Sequence, residues 1–475
     1  MTTHLDYDVI VVGGGNAALS AALSARDKGA KALVVEKAPP EARGGNCPYT
    51  GGGFRFTHTG AKDLRAVLAD PQSVSGDVKP YTAEQYRRDM LERTMGMTDS
   101  DLLDTLIKES YPTIQFLAKM GIQFERGGDH IRIGAGAVGS GPGLIKMHYE
   151  AARKHGVTVV YETKMLKLLQ DESGAVNGVM VRDKEGTHDL RCKGVVLACG
   201  GFEANQEMRL KYLGGPWERA KVRGSKYNTG DGHRAALELG AKVMGQWTGC
   251  HATPIDADAP DYGQTDSVNR LPRRSYNFGI TVNIFGQRFA DEGEDVPLHT
   301  FVSMGRKILE QPRGLAFQIF DRRADGLLED RYGSGKPVTA QTIEELASKL
   351  GIEGKRLGRT VEEFNKSVQG GTFDAKKLDG KSTKGLTPAK SNWAQPIDSP
   401  PFTAYRVTGG ITYTFGGLKI NTKAQVMDTE DKPIPGLYAT GEIVGGFFYY
   451  DSLRASGLMH GAVFGRIGGA NAAAK

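Results

Sequence analysis

The chain has 475 residues, enough to bury large cores without help from disulfides. Its net charge of +6 is spread along the whole length, with no run of Lys or Arg to serve as an arm for nucleic acid. Four cysteines, Cys47, Cys192, Cys199 and Cys250, lie far apart and form no CxxC, so iron–sulfur, zinc and haem-attachment patterns are excluded and any redox chemistry needs an organic cofactor.

The first residues, MTTHLDYDVIVVGGG, lack a basic segment followed by a long apolar one, and no window reaches ~18 uninterrupted apolar residues. The expectation is a cytoplasmic protein with no transmembrane segment. Tyr7 to Val12, YDVIVV, reads as a buried parallel strand and runs directly into GGGNAALSAALSARDKGA, where small residues open an amphipathic helix. The spacing Gly13-x-Gly15-x-x-Ala18 fits the dinucleotide fingerprint. The first glycine makes the turn, the second lets backbone approach a pyrophosphate, and Ala18 permits close helix packing. The helix then faces the phosphates with the positive end of its dipole. The next strand, KALVVEK, ends at Glu36, 23 residues after Gly13, where a carboxylate can bind the adenosine ribose hydroxyls.

Arg43 to Phe56, RGGNCPYTGGGFRF, is a second Gly-rich loop, too irregular for a helix and too long for a simple turn. It suits a large flat ring system. Farther on, VVLACGG reads as a buried strand ending in two glycines, and Asp231 of TGDG stands at a helix start. PIPGLYATGE ends a second such strand at Gly441 and Glu442. ASGLMHGAVFGRIGG opens a helix of small residues at Ser456, whose first amides can stabilise negative charge on a reduced ring.

Together with NTGDGHRAALELGA and NIFGQRFADEGED, these blocks resemble, in order and over nearly the whole chain, a flavoprotein family. It includes fumarate reductases, succinate dehydrogenase flavoprotein subunits, L-aspartate oxidases and 3-ketosteroid dehydrogenases. Within it VRGSKYNTGDG, CHATPIDADAP, GQRFADEGED, KSNWAQPID and TYTFGGLKINT are most similar to the FAD-dependent tricarballylate dehydrogenases, which oxidise a saturated tricarboxylate to cis-aconitate. The resemblance implies an α/β fold: a Rossmann-like FAD-binding domain, residues 1–244 and 390–475, interrupted by a smaller α+β capping domain over residues 245–389. It implies non-covalent FAD, because the family's attachment histidine falls near Gly45, with Asn46 following. It places the cofactor on Gly13, Gly15, Asn16, Ala17, Ala18, Glu36, Lys37, Gly44, Gly45, Asn46, Gly52, Gly53, Met165, Gly200, Gly201, Asp231, Gly441, Glu442, Ser456, Gly457 and Leu458.

Moving two hydrogens across a CH–CH unit needs a carbon over flavin N5, a group for the neighbouring proton, and cations or donors for carboxylates. By the resemblance, His251 stands at the family's cap histidine and Tyr413 at a substrate-binding histidine. Tyr413 is expected as a donor, since a phenol with its ordinary pKa near ~10 is a poor base. Arg55 resembles an arginine of the tricarballylate group and could pair bidentately with a carboxylate, the alternative being a surface ion pair. Arg273 and Arg274 are adjacent on extended chain, so one is expected in the cleft and the other in solvent. The family's proton-shuttling arginine falls near Val296 and is not carried over, and its fumarate-binding arginine aligns with Ser452. Tyr450 and Arg454 are the substrate-facing candidates of FFYYDSLR, a stretch that departs from both groups of relatives.

The expected reaction is oxidation of a polycarboxylate such as tricarballylate. The alternatives are an ene-reductase of an unsaturated acid or enone, and a flavin-binding sensor or subunit without turnover. A separate electron acceptor or donor is implied, whether a protein, a quinone or oxygen.

Overall fold

Val9–Val12 forms β1, and none of its four residues is more than 5% exposed. A strand hidden on both faces belongs inside a parallel sheet. In the computed structural model, which describes residues 6–74, 76, 78–126, 133–263 and 270–474, β1 is flanked in parallel by β2, Ala32–Val35, and by the strand Gly194–Leu197. The full order is Gln425–Met427, Pro433–Ala439, Gly194–Leu197, β1, β2, Thr158–Val160. Each fully buried Val or Leu of these strands contributes about 1.5–3 kcal/mol. The register sets Val12 opposite Leu197 and Val35, and Leu197 opposite Ala439. One edge of the sheet therefore carries Gly13, Glu36, Gly200 and Gly441, the edge at which open α/β sheets bind ligands.

Helix α1, Asn16–Asp27, and the last helix, Ser456–Ala473, lie against each other with almost nothing between them. A Cβ at Gly465 would stand 2.5 Å from Ala17 O, and one at Gly469 would overlap Ala21 O. Their starts are tied side by side, because Asn16 Nδ2 donates to Leu458 O at 2.8 Å. The small residues read from sequence thus bring two helix N-termini to the same sheet edge. Among the described residues no helix is long and apolar enough to cross a membrane.

All of this lies in one of two compact units, made of Met1–Leu213, Gly224–His251 and Tyr413–Lys475. The other consists of Gly214–Arg223 and Ala252–Thr412. Its mixed sheet runs Lys221–Val222, Phe402–Thr414, Leu315–Phe320, Ile280–Asn283, with Cys250–Asp256 and Val338–Ala340 also pairing with Phe402–Thr414. The helices Ile343–Leu350 and Gly354–Ser367 press Leu346, Leu357, Val361 and Phe364 onto Ile280, Val282, Phe317 and Ile319.

The second unit differs at its edges from the expected span 245–389. The Pro-rich segment KSNWAQPIDSPP does not end it, because the chain then enters Phe402–Thr414, whose residues 403–408 pair with Leu315–Phe320. Gly214–Arg223 joins it for the same reason: Lys221 and Val222 pair with Gly410 and Ile411. Strand pairing outweighs the punctuation that proline gives a sequence.

Candidate active site

Gly13 has φ +110 and donates its amide to Val35 O at 2.8 Å, so the turn after β1 is locked to the end of β2. A Cβ there would overlap Ala198 O, and only glycine fits. Asn16 joins three segments. Its side chain donates to Leu458 O, its Oδ1 meets His148 Nε2 at 3.0 Å, and its amide points at Cys47 Sγ at 3.2 Å. Glu36 is buried, with Oε1 accepting the Ala38 amide at 2.7 Å. Burial raises its carboxyl above the ordinary range, against the pull of the Ala38 hydrogen bond and of Lys37. A buried carboxylate at the end of the second strand fits a pair of ribose hydroxyls.

Lys37 turns away from Glu36. Its Nζ donates to Thr229 Oγ1 and Asp231 Oδ2, both at 2.7 Å. Asp231 also pairs with Lys164 at 3.3 Å and with Arg234. Burial works to raise Asp231, but Lys37 and then Lys164 outweigh it and hold the carboxyl below its usual value. Lys37 and Asp231 are therefore committed to each other, and their side chains fasten the sheet edge to the helix Asp231–Glu238. Met165 is buried on the strand Lys164–Gln170.

The last helix begins at Ser456, as its small residues predict. Ala455 holds the left-handed turn before it, with φ +63. Ser456 is fully buried and shares a 3.2 Å hydrogen bond with Tyr86 OH. Gly457 has open space where a side chain would stand, so the first-turn amides have room for a ligand. The loop carrying Gly44, Gly45 and Asn46 and the strand Gly53–Arg55 after Gly52 belong to the same unit. A Cβ at Gly52 would meet Ser140 at 2.8 Å, and one at Gly15 would stand 3.4 Å from Gly44 O. The donor set, the two helix starts, the buried Glu36 and the open face at Gly457 fit a dinucleotide with a large ring.

Beside this cradle, Tyr413 OH donates to Ser452 Oγ, and the ring of Tyr413 stacks on His251 with centroids 4.9 Å apart and planes 14° from parallel. Ser452 has its own amide on Asp451 Oδ1 at 2.7 Å, and Asp451 faces Arg93 at 3.7 Å. Tyr450 is 43% exposed, holds φ +61 and gives its amide to Gln246 Oε1 at 2.7 Å. A left-handed tyrosine costs of order 1–3 kcal/mol and persists only where its surroundings over-determine it. Arg454 is exposed, and its carbonyl accepts from Arg55 Nε at 2.9 Å.

Arg55 corrects the sequence expectation. It is 5% exposed, with Nη1 on Tyr81 OH at 2.5 Å and Asp89 Oδ2 at 3.1 Å. With Asp89 and the Arg454 carbonyl already on it, it fastens residues 454–455 instead of meeting a substrate carboxylate.

In the second unit the neighbours Arg273 and Arg274 have opposite environments, though not cleft and solvent. Arg273 is 1% exposed, paired with Asp256 at 2.7 Å and donating to the carbonyls of Arg270 and Arg331 at 2.6 and 3.1 Å. It is structural. Arg274 is half-buried, donates Nε to Thr253 Oγ1 at 3.1 Å, and lies 3.8 Å over the Phe301 ring. The helix Pro297–Leu309 places Phe301 and Gly305 four residues apart on one face, and a Cβ at Gly305 would stand 2.7 Å from the Thr253 nitrogen, so glycine lets the helix close on Thr253. Among the described residues no carboxylate pairs with Arg274. Burial, and then Arg223 and Arg331, push its guanidinium down to about 9. Glu329 acts in the opposite sense without pairing with it, and a guanidinium so oriented and stacked has the chemistry to take a carboxylate.

Sequence reading missed Glu203, Thr253 and Arg223. Glu203 was visible as the acid two residues after a glycine pair at a strand end, but its partner lies far along the chain.

A family model described as FAD binding domain matches residues 8–458. A fumarate reductase (cytochrome) of Shewanella frigidimarina is 28% identical over 99% of this chain and 77% of its own length. A urocanate reductase of Eggerthella lenta is 30% identical over 99% of this chain and 75% of its own. The open conformation of a flavocytochrome c3 fumarate reductase superposes with a TM-score of 0.77 at 28% identity, covering 98% of this chain and 78% of that one.

Proposed function

The chain belongs to the FAD binding domain family as an FAD-dependent oxidoreductase of CH–CH or C=C bonds, and we propose that it acts as an ene-reductase of an α,β-unsaturated carboxylic acid. The observation that carries the acid is Arg274, held by Thr253 and Phe301 and flanked by positive charge. The reductases named above lend support, since fumarate and urocanate are both unsaturated acids.

When bound, FAD supplies a hydride to one carbon of the double bond. Gly13, Asn16 and Glu36 would hold its dinucleotide, and the amides from Ser456 to Leu458 would stabilise negative charge on its ring. Tyr413 gives its hydroxyl proton to the other carbon, and solvent reprotonates the phenolate through the Ser452 hydroxyl, which hands on one proton as it takes up another. Asp451 fixes Ser452, and Arg93 fixes Asp451. His251, flat against the Tyr413 ring, prevents that ring from turning. Tyr450 and Arg454 screen the same stretch. Electrons reach the flavin from a separate carrier.

Oxidation of tricarballylate is a second reading, the same bond change in reverse. Arg223 and Arg331 around Arg274 favour it, because they suit a substrate with more than one carboxylate. The test mixes photoreduced holoenzyme anaerobically with fumarate, urocanate, cis-aconitate and simple enones. Rapid reoxidation by an unsaturated acid is expected. Reoxidation by enones alone would sink the acid reading, and bleaching of the oxidised enzyme by tricarballylate would favour the second.

A further inference from the structure

The cradle contains two acids that this chemistry does not use. Glu203 follows Gly200 and Gly201 after the strand Gly194–Leu197, and Glu442 follows Gly441 after Pro433–Ala439. Their carboxyl groups fill the space beside Gly201. A Cβ there would stand 2.7 Å from Glu203 Oε2 and would overlap Glu442 Oε1.

Glu203 is fully buried. Its Oε1 accepts from Asn46 Nδ2 at 2.7 Å and Asn228 Nδ2 at 2.6 Å. Glu442 Oε1 accepts the Thr414 amide at 2.9 Å and the Thr414 hydroxyl at 3.3 Å. Glu203 Oε2 is buried and receives no hydrogen from any donor side chain or amide. The two carboxyl groups converge beside Gly201, each with an oxygen within 2.7 Å of the same point, where a carboxyl–carboxyl hydrogen bond can form. Ionised carboxylates only accept, so such a bond exists only when one of them carries a proton. Burial raises both acids, and the charge of Glu203 raises Glu442 further.

We propose that Glu203 and Glu442 share one proton, with Glu442 as the acid and Glu203 as the carboxylate, and that this proton fastens together the segments that hold FAD. The loop of Asn46, the loop of Ser225 and Asn228, Thr414 and Gly441 all meet at the pair. Asn46 Oδ1 extends the network by accepting the Ser225 amide at 2.9 Å. Loss of the proton leaves two buried anions in contact, and the segments part. The charged or titratable groups facing the pair from elsewhere are few. Cys47 is pushed up to about 11, by burial first and also by Glu442, and stays neutral. Arg209, on the helix Gln206–Leu213, donates to the Glu203 backbone carbonyl at 2.5 Å. Asn46, Asn228 and Thr414 are neutral. The proposal rests on FAD occupying this cradle. It makes Glu203 and Glu442 positioning residues for the cofactor.

The experiment measures FAD affinity of the full chain from pH 6 to 10 by the fluorescence of released flavin, for wild type, Glu442→Gln, Glu203→Gln and Glu442→Ala. Wild type should hold a plateau and then lose about tenfold per pH unit once the proton leaves. Glu442→Gln donates a permanent N–H to Glu203 and should retain FAD without the alkaline fall; Glu203→Gln should flatten the profile likewise. Glu442→Ala should bind weakly throughout. A flat wild-type profile, or an alkaline fall unchanged in both Gln variants, overturns the shared proton and leaves FAD binding itself intact. Absence of FAD binding at every pH would instead remove the cradle. Should both Gln variants fail to fold, infrared spectra of wild type decide. A protonated-carboxyl band that disappears in step with flavin release supports the pair, and a band that does not follow release overturns it.

Discussion

Tyr413 donates its phenolic hydrogen to Ser452, and its ring stacks on that of His251. The bond fixes where the phenol points, and in the proposed reduction it is the path by which solvent would reprotonate the phenolate. Tyr413→Phe should lower the rate of flavin reoxidation by the best unsaturated acid by about 10²–10⁴-fold, the range for loss of a proton-transfer group. Ser452→Ala, which removes one hydrogen bond, should cost about tenfold. Stopped-flow reoxidation of photoreduced enzyme reads both. Equal rates in wild type and Tyr413→Phe would remove Tyr413 from proton transfer.

Arg273 and Arg274 should separate stability from substrate binding. Arg273→Ala leaves Asp256 without its buried partner and should cost about 3–5 kcal/mol in urea unfolding. Arg274→Ala should leave folding nearly intact and raise KM for the acid about 10–100-fold, as expected for a charged hydrogen bond. Arg274→Lys should recover only part of this, because an ammonium lacks the planar fork. A KM effect from Arg273 and none from Arg274 would reverse the assignment.

Glu36 should show opposite effects on folding and on cofactor retention. Its carboxyl is raised by burial, so above about pH 4.5 the folded apoprotein bears the cost of a buried charge. Glu36→Gln should therefore stabilise the apoprotein slightly while weakening FAD about 10–100-fold, through lost charged hydrogen bonds to the ribose. Thermal melts without FAD and fluorescence titration with it measure the two effects separately. Unchanged FAD affinity would contradict the ribose role.

His460 is buried in the last helix, its ring 3.8 Å from that of Phe447 and its Nε2 without a partner. Burial pushes its pKa down to about 3. The unfolded chain binds a proton there below about pH 6.5 and the folded chain does not, so stability falls as pH falls through that window. Relative to His460→Phe, wild type should lose about 1.4 kcal/mol per pH unit between pH 6.5 and 4. The comparison must be made as a difference. Glu36, Glu203 and Glu442, raised in the fold, slope the other way over part of the same range. A difference that stays constant with pH would show His460 to be protonated in the fold.

Sequence periodicity found the parts of the fold that are local. YDVIVV, ALVV, VVLA and GLYA each announce burial on both faces, and all four stand side by side in one sheet. The glycine spacing and Glu36 were equally legible, because strand, turn and helix follow one another within 30 residues. Pairings across the chain were not. Nothing near Arg55 predicts Asp89 or the Arg454 carbonyl, nothing near Glu203 predicts Glu442, and nothing in LPRRSYNFG says which arginine finds Asp256. Resemblance brought Tyr413 and His251 onto the page but not their stacking. It also gave the second unit its approximate place, while hydrogen bonding of Phe402–Thr414 set its edges.

The tie between Asn16 and Leu458 joins residues 442 positions apart. During synthesis at ~5–20 residues per second, roughly 20–90 s separate the appearance of these two partners outside the ribosome. Through that interval α1 has its strand but not the helix that covers its other side, with Ala17, Ser20 and Ala21 waiting for glycines not yet made. The cofactor pocket of the first unit is thus completed last, whatever the order of translation suggests. Until residue 458 has emerged, α1 keeps an uncovered face, and the two helix N-termini at the sheet edge are not yet side by side.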